Sequence, residues 1–406
     1  VADARHLQDR EAAGVEVLEG PTAAGGAAAA RPPAPQPPPS PPQQPLASPP
    51  PRWLAAAAMR LRRIFRAAAD AVVPPPVALF EQIAAYMQTH LLRAAARLRI
   101  ADLLAAGPLT AEELALRAGV QSAELHRLMR GLVTLGVFAH GRDGRFANNR
   151  ASAPLRADAP ISLRDAALYF GSAAQLRAWD GLEEALATGA DAFVLAHGMS
   201  TWDWFDRHDA ERDAFAGTMV AMTRLFAPGV ATAYPFAAVH RLCDVGGSQG
   251  DLLAEVLLRH PGLTAVLLDS PAVLANALPF LAARGVADRV QLLPGSFFDA
   301  VPPGCDAYLL KNILHDWDDP RAARILDNCR RATQPGHRLL IVETVVEEGT
   351  TREIGPLSDL QMMVVCSGGR ERSRADYARL LAAAGFRLSR VVPTAGPMSV
   401  IEGLAV

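Results

Sequence analysis

The chain of 406 residues is 50% hydrophobic, 20% charged and 6% aromatic, which suffices for two buried cores with length to spare. Its 40 Lys and Arg against 42 Asp and Glu leave a net charge of −2, so no global field draws it to nucleic acid or anionic lipid. Cys243, Cys305, Cys329 and Cys366 lie far apart without Cys-x-x-Cys or Cys/His ligand spacing; this excludes a disulfide framework and a zinc site, and fits reduced thiols in a cytoplasmic protein.

Residues 1–52 are rich in Ala, Gly and Pro, and 31–52 are more than half proline, so a disordered tail is expected there. No long uncharged apolar run and no apolar signal core are found, so neither a membrane span nor a signal peptide is expected. The chain opens on Val1, and Met59 heads a basic, helix-compatible stretch to Arg66; the reading is that native translation starts at Met59. Native protein whose intact mass includes residues 1–58 would contradict it. The basic stretch is read as a solvated helix face rather than a membrane-surface helix.

Residues 53–150 are expected to form an all-α winged-helix domain. Residues 79–104 are too apolar for a lone surface helix and suggest packing against a second subunit. Thr110-Ala-Glu-Glu113 is a capping box, and the helix it opens ends near Gly119. Ser122 is expected to cap a second helix, with Leu125, Leu128, Met129, Leu132 and Leu135 on its apolar side and Gly136 at its end. Residues 137–139 and 145–147 read as two short strands around Asp143-Gly144. DNA binding through Arg127 and Arg130 is the competing reading, disfavoured by the apolar helices before it. Residues 151–235 read as a helical connector lining a pocket, with aromatic clusters at Trp202, Trp204, Phe205 and Phe215.

From residue 236 the period changes to that of an α/β domain. Strands are expected over 242–245, 264–269, 290–294, 307–311 and 337–343, with helices over 251–259, 271–284 and 321–333 between them. Residues 386–392 and 398–405 lack a helix between them and pair best as an antiparallel hairpin. The result is a doubly wound, seven-stranded Rossmann-like sheet that binds its ligand at the strands' carboxyl ends.

The first strand runs into Asp244-Val-Gly-Gly-Ser-Gln-Gly250 and a helix. Its acid-x-Gly-Gly-x-x-Gly spacing differs from the dinucleotide fingerprint and from a triphosphate loop, and the acid suits a ligand carrying an amino group. Asp269, at the end of the second strand, can accept both hydroxyls of an adenosine ribose. Together they point to S-adenosylmethionine, with NAD and a purely structural turn as the alternatives. His315, just beyond the fourth strand, is placed as a base for a phenolic proton. Its competing reading is that His315 and Asp316 merely cap the helix beginning near Asp318.

These segments resemble the successive motifs of class I S-adenosylmethionine-dependent O-methyltransferases, in the plant caffeate-type and bacterial polyketide-tailoring branch. The motifs are Asp244 to Gly250, Leu268-Asp-Ser-Pro-Ala-Val273, Gly295-Ser-Phe-Phe298, Leu310-Lys-Asn-Ile-Leu-His-Asp-Trp-Asp-Asp319 and Gly369-Arg-Glu-Arg-Ser373. The resemblance spans residues 77–405 and implies a homodimer formed through the winged-helix domain. It implies that Asp244, Gly246, Gly247 and Gly250 border the methionine part of the cofactor, that Asp269 binds the ribose, that Phe297 and Ser296 meet the adenine, and that Lys311 lies near the polar end. It also implies that Glu343 and Glu371 flank the imidazole of His315. Two departures stand out: Ser248 where the family commonly has Gly, and Ser296 where an Asp usually meets the adenine amino group. Pocket candidates are Met219, Met222, Trp317, Asp359, Met362 and Met363, an apolar set that suits a flat, hydroxyl-bearing aromatic acceptor. The expected activity is O-methylation of a phenolic or enolic hydroxyl on a polyketide-like metabolite. The alternatives are a cofactor-binding relative running hydroxylation, decarboxylation or pericyclic chemistry, and a winged-helix S-adenosylmethionine sensor.

Overall fold

A computed structural model describes residues 45–349 and 354–406; the tail expected over 1–44 lies outside them. Residues 45–51, counted above as tail, are extended and bound. Leu46 N–H donates to Glu255 Oε2 (3.1 Å), and Arg259 Nη2 donates to the Leu46 carbonyl (2.7 Å). The cause is Glu255: it is fully buried, and its oxygens need the donors that Arg259, Arg284 and the Leu46 backbone supply.

The stretch around Met59 forms the helix Arg52–Val72, none of whose residues is buried. The apolar run 79–104 is not one helix. It divides into Pro75–Ala84, Tyr86–Arg97 and a single turn Ile100–Leu103, the last break falling at Arg99 with φ 54°. Ala95, Ala96, Ile100 and Leu104 are buried, while Val77, Leu79, Phe80, Ile83, Tyr86 and Met87 remain exposed. The Thr110 capping box is present, with Thr110 N–H on Glu113 Oε2 at 2.8 Å. Ser122, expected as a cap, is instead the first helical residue; Gln121 holds the cap position without a side-chain bond, and the Ser122 hydroxyl points back to Glu112. The helix Ser122–Thr134 leads to strands β1 (Phe138–His140) and β2 (Phe146–Asn148), an antiparallel pair shifted one residue from the expected wing.

The connector is a series of helices joined by short loops. Its longest element, Asp209–Ala233, is the one helix among the described residues long and apolar enough to cross a membrane by composition. It packs on the helices Arg164–Phe170 and Asp251–Arg259 and on the strand Met398–Ala405, and its Thr218, Ala221, Val230 and Ala231 are buried. Gly217 sits where a Cβ would come within 2.2 Å of the Asp165 carboxylate, which is what lets the first two helices approach.

The catalytic sheet comprises β3 (Arg241–Val245), β4 (Thr264–Asp269), β5 (Val290–Pro294), β6 (Ala307–Lys311), β7 (Arg338–Thr344), β8 (Phe386–Pro393) and β9 (Met398–Ala405). Its order is β5-β4-β3-β6-β7-β9-β8, parallel except for β9 and β8. Both faces are covered, so β3, β4, β6 and β7 are apolar almost continuously. Alternation still sorts the side chains: Leu242, Leu267, Leu309 and Leu340 enter one core, and Cys243, Val266, Tyr308 and Leu339 the other. The helix expected over 271–284 is broken at residues 275–276 into Pro271–Leu274 and Ala277–Ala283. Strand order reverses between β3 and β6, and the crevice there is where Asp244, Asp269, Lys311 and Glu343 reach their strand ends.

Candidate active site

The turn after β3 is held by Gly246 N–H on the Leu268 carbonyl (2.8 Å) and Gly250 N–H on the Gly247 carbonyl (3.0 Å). Each glycine has its own reason. Gly246 and Gly250 have φ of 71° and 90°, and a Cβ on Gly247 would lie 2.4 Å from the Asp244 carboxylate. Ser248, the first departure from the family pattern, also has positive φ (57°), a conformation a glycine would adopt without strain. The Asp269 carboxylate accepts from Ser248 N–H (2.8 Å) and Ser270 N–H (2.7 Å), which aims it across the turn with lone pairs to spare. Ser296 does not point into open space: its hydroxyl accepts from Phe298 N–H at 3.2 Å. The Phe297 ring edge lies 3.2 Å from where a Cβ of Gly246 would stand, so ring and glycine turn face each other.

Charge here is unbalanced toward acid. Burial, and then Asp269, push Asp244 up to about 7, with Lys311 opposing. Burial brings Lys311 down to about 8 against the pull of Asp244, Asp251, Asp316 and Glu343. Burial also raises Asp269, against the two backbone N–H groups that hold it. A crevice with surplus buried carboxylate favours a cationic ligand, and the three glycines make a cradle that any side chain would fill. Both features fit S-adenosylmethionine, whose sulfonium and amino groups are positive.

The turn that carries His315 follows β6. Asn312 has φ 52°, after which Leu314–Asp316 form a single 3-10 turn that buries His315. Asp318 caps the helix Asp319–Ala332 through Arg321 N–H at 2.9 Å, so neither His315 nor Asp316 is spent on that task. The His315 ring lies between two carboxylates: Nδ1 is 3.2 Å from Glu371 Oε1 and Nε2 is 3.4 Å from Asp316 Oδ1. Burial works to lower the His315 pKa, but Asp316, Glu371 and Glu343 outweigh it and leave it raised to about 9. Burial pushes Asp316 up to about 6, with His315 opposing. Glu371 is held in place by Ser358 Oγ–H (2.7 Å) and by Asp359, which accepts its backbone N–H (2.8 Å). Glu371 Oε2 is buried without a partner.

Glu343, which acts on the imidazole by its charge, spends its hydrogen bonds on the backbone of the turn and on Tyr377. Its Oε1 accepts the backbone N–H groups of Ile313 (3.1 Å), Leu314 (2.7 Å) and His315 (3.3 Å), and Oε2 accepts from Tyr377. It therefore shapes the turn that carries His315. Arg372, which sequence reasoning missed, closes the other side: buried completely, it donates to the carbonyls of Leu314 (2.7 Å) and Trp317 (2.8 Å) and to Asp319 (2.9 Å). The available signal was its place beside Glu371 in Gly369 to Ser373.

Among the expected pocket residues, Trp317 is half-buried, stacked on Trp202 at 6.0 Å and edge-on to Phe298 at 4.8 Å. Met219, Met222, Met362 and Met363 are half-buried on the helices Asp209–Ala233 and Gly355–Val365. Asp359 accepts the Glu371 backbone N–H.

The Asp269→Ala variant removes a charge-assisted acceptor and should weaken S-adenosylmethionine roughly ten- to a hundredfold, about 1.5–3 kcal/mol, with the fold kept. Calorimetry showing unchanged affinity would take Asp269 out of the site.

An O-methyltransferase dimerisation domain matches residues 80–157, and an O-methyltransferase domain matches residues 179–387. The chain is 38% identical over 324 residues to a phenazine O-methyltransferase of Lysobacter antibioticus, covering 80% of this chain and 94% of the relative. The crystal structure of LaPhzM superposes with a TM-score of 0.79 at 37% identity, over 82% of this chain and 100% of that one. The O-methyltransferase NcsB1 from neocarzinostatin biosynthesis, solved with S-adenosylmethionine and 2-hydroxy-5-methyl naphthoic acid, gives a TM-score of 0.66 at 32% identity over 79% and 96% of the two chains.

Proposed function

Because the chain belongs to the S-adenosylmethionine-dependent O-methyltransferases that carry a dimerisation domain, we propose that it methylates an aromatic hydroxyl with His315 as the base. The observation that carries this is the imidazole held between Glu371 and Asp316 at the carboxyl edge of the sheet. When bound, S-adenosylmethionine supplies an electrophilic methyl group on a sulfonium sulfur. Asp244, Asp269 and the cradle of Gly246, Gly247 and Gly250 would hold it, with Lys311 beside its polar end and Phe297 against its adenine.

The residues around His315 set its basicity. Glu371 accepts at Nδ1, which fixes the tautomer and leaves Nε2, 3.4 Å from Asp316 Oδ1, as the atom that takes the proton. A phenol of pKa about 10 delivers its proton to an ordinary imidazole against roughly 5 kcal/mol. With His315 at about 9 that cost falls to roughly 1–2 kcal/mol. The flanking carboxylates also stabilise the imidazolium that forms. The consequence is a pH profile. In the free enzyme most of the ring is protonated at neutral pH and cannot accept, so kcat/KM should climb with pH and level near 9. A kcat/KM that stays flat from pH 6 to 9 would contradict the assignment.

The acceptor is a small aromatic hydroxyl compound. Its support is the apolar and aromatic surround of Trp202, Phe215, Trp317 and the four methionines. The homodimer forms through residues 77–105, whose exposed Leu79, Phe80, Ile83, Tyr86 and Met87 would be a costly patch on a monomer. Light scattering should find a dimer at micromolar concentration; a stable monomer of the 43.1 kDa chain would contradict this.

A further inference from the structure

Three helices beside the turn that carries His315 share a chain of buried and half-buried polar groups that methyl transfer itself does not use. Trp179 Nε1 donates to Gln361 Oε1 (3.0 Å), Gln361 Nε2 donates to Gln175 Oε1 (2.9 Å), and Gln175 Nε2 donates to the Tyr169 hydroxyl oxygen (3.0 Å). The direction is set at its start. An indole N–H can only donate, so Gln361 must turn its carbonyl to Trp179 and its amide to Gln175, and Gln175 must turn its amide to Tyr169. Tyr169 is left as the terminal donor. Its side chain is 4% exposed, and its proton has no acceptor among the described residues.

The Tyr169 ring belongs to the aromatic cluster that runs to Trp317. The Tyr169 ring is 5.3 Å from Phe215, Phe215 is 5.9 Å from Trp202, and Trp202 stacks on Trp317, two residues beyond His315. Burial above all, helped by Asp316 and Glu211, holds the hydroxyl in its neutral, donating form. A group that must donate, fixed among aromatic rings and beside acids, calls for a neutral oxygen acceptor, because a carboxylate there would be repelled by Asp316 and Glu211.

Resting on the methyl-transfer reading above, we propose that Tyr169 is a specificity-determining residue whose hydroxyl donates to a carbonyl oxygen of the acceptor. The acceptor class is then a hydroxylated aromatic ketone or quinone rather than a simple phenol. The amide relay is the positioning device: it occupies the Tyr169 oxygen as an acceptor and leaves the hydroxyl proton to donate.

The test measures binding, so it does not depend on turnover. Calorimetry in the presence of S-adenosylhomocysteine compares the ring-matched pair 6-hydroxy-1-tetralone and 5,6,7,8-tetrahydro-2-naphthol, which differ in one carbonyl. The intact protein should bind the ketone roughly tenfold more tightly, and Tyr169→Phe should abolish that preference without weakening the carbonyl-free phenol. Because Tyr169→Phe strands the Gln175 amide, the double variant Tyr169→Phe, Gln175→Leu must show the same loss of preference. A ketone that the intact protein does not bind or does not prefer, or a preference that survives both variants, overturns the proposal. Failure of His315 variants to affect methyl transfer would overturn the base assignment and leave this preference standing.

Discussion

Replacing His315 by alanine should lower turnover by about a hundred- to ten-thousandfold, with S-adenosylmethionine affinity little changed, which is the usual span for removing a general base. The loss corresponds to roughly 3–5.5 kcal/mol of transition-state stabilisation. It should be largest near neutral pH and shrink as pH approaches the phenol's own pKa, where the acceptor ionises without help. The inflection expected near pH 9 should vanish with the ring. His315→Gln separates chemistry from packing, since glutamine fills the buried site and keeps a polar group for Glu371 but accepts no proton. Steady-state rates across pH 6–10 check both variants. A glutamine variant that retains most of the rate would make His315 structural and leave catalysis to the alignment of two bound substrates.

The second large effect falls on stability. Glu343→Ala strips the acceptor from three buried N–H groups, those of Ile313, Leu314 and His315, and leaves the Tyr377 hydroxyl unpaired as well. Orphaning that many buried donors should cost about 3–5 kcal/mol, a large part of a typical domain's total. Glu343→Gln keeps an oxygen for the three N–H groups and should lose less than tenfold in turnover. Denaturant melts and rates on the two variants check the assignment. A folded Glu343→Gln enzyme without activity would return Glu343 to a direct electrostatic role on the imidazole.

The catalytic sheet was legible because parallel strands buried on both faces leave short apolar runs, and because Gly246, Gly250 and Asp269 fall where those runs end. The place of His315, just beyond β6, was legible from the motif around it. What escaped has a common cause: the partners are backbone atoms or distant side chains, and these leave no local pattern. Glu343 bonds the main chain some thirty residues earlier, a role that the resemblance, which sets it beside His315, does not name. Gln175 and Gln361 stand 186 positions apart and read separately as ordinary polar helix residues. Ser122 carries the chemistry of a cap, yet the helix begins one residue earlier than that role requires. Residues 45–51 have the composition of a tail, and only the buried Glu255 and its partner Arg259 reveal that they are bound.

Product analysis after incubation with trideuteromethyl-labelled S-adenosylmethionine and a panel of hydroxylated aromatic compounds tests the central claim most directly. The intact protein should place the label on a hydroxyl oxygen of at least one compound, and His315→Gln should lose that product while still binding the cofactor. Label appearing on none of a broad panel, or appearing at an undiminished rate in the His315→Gln variant, would contradict an O-methyltransferase that uses His315 as its base.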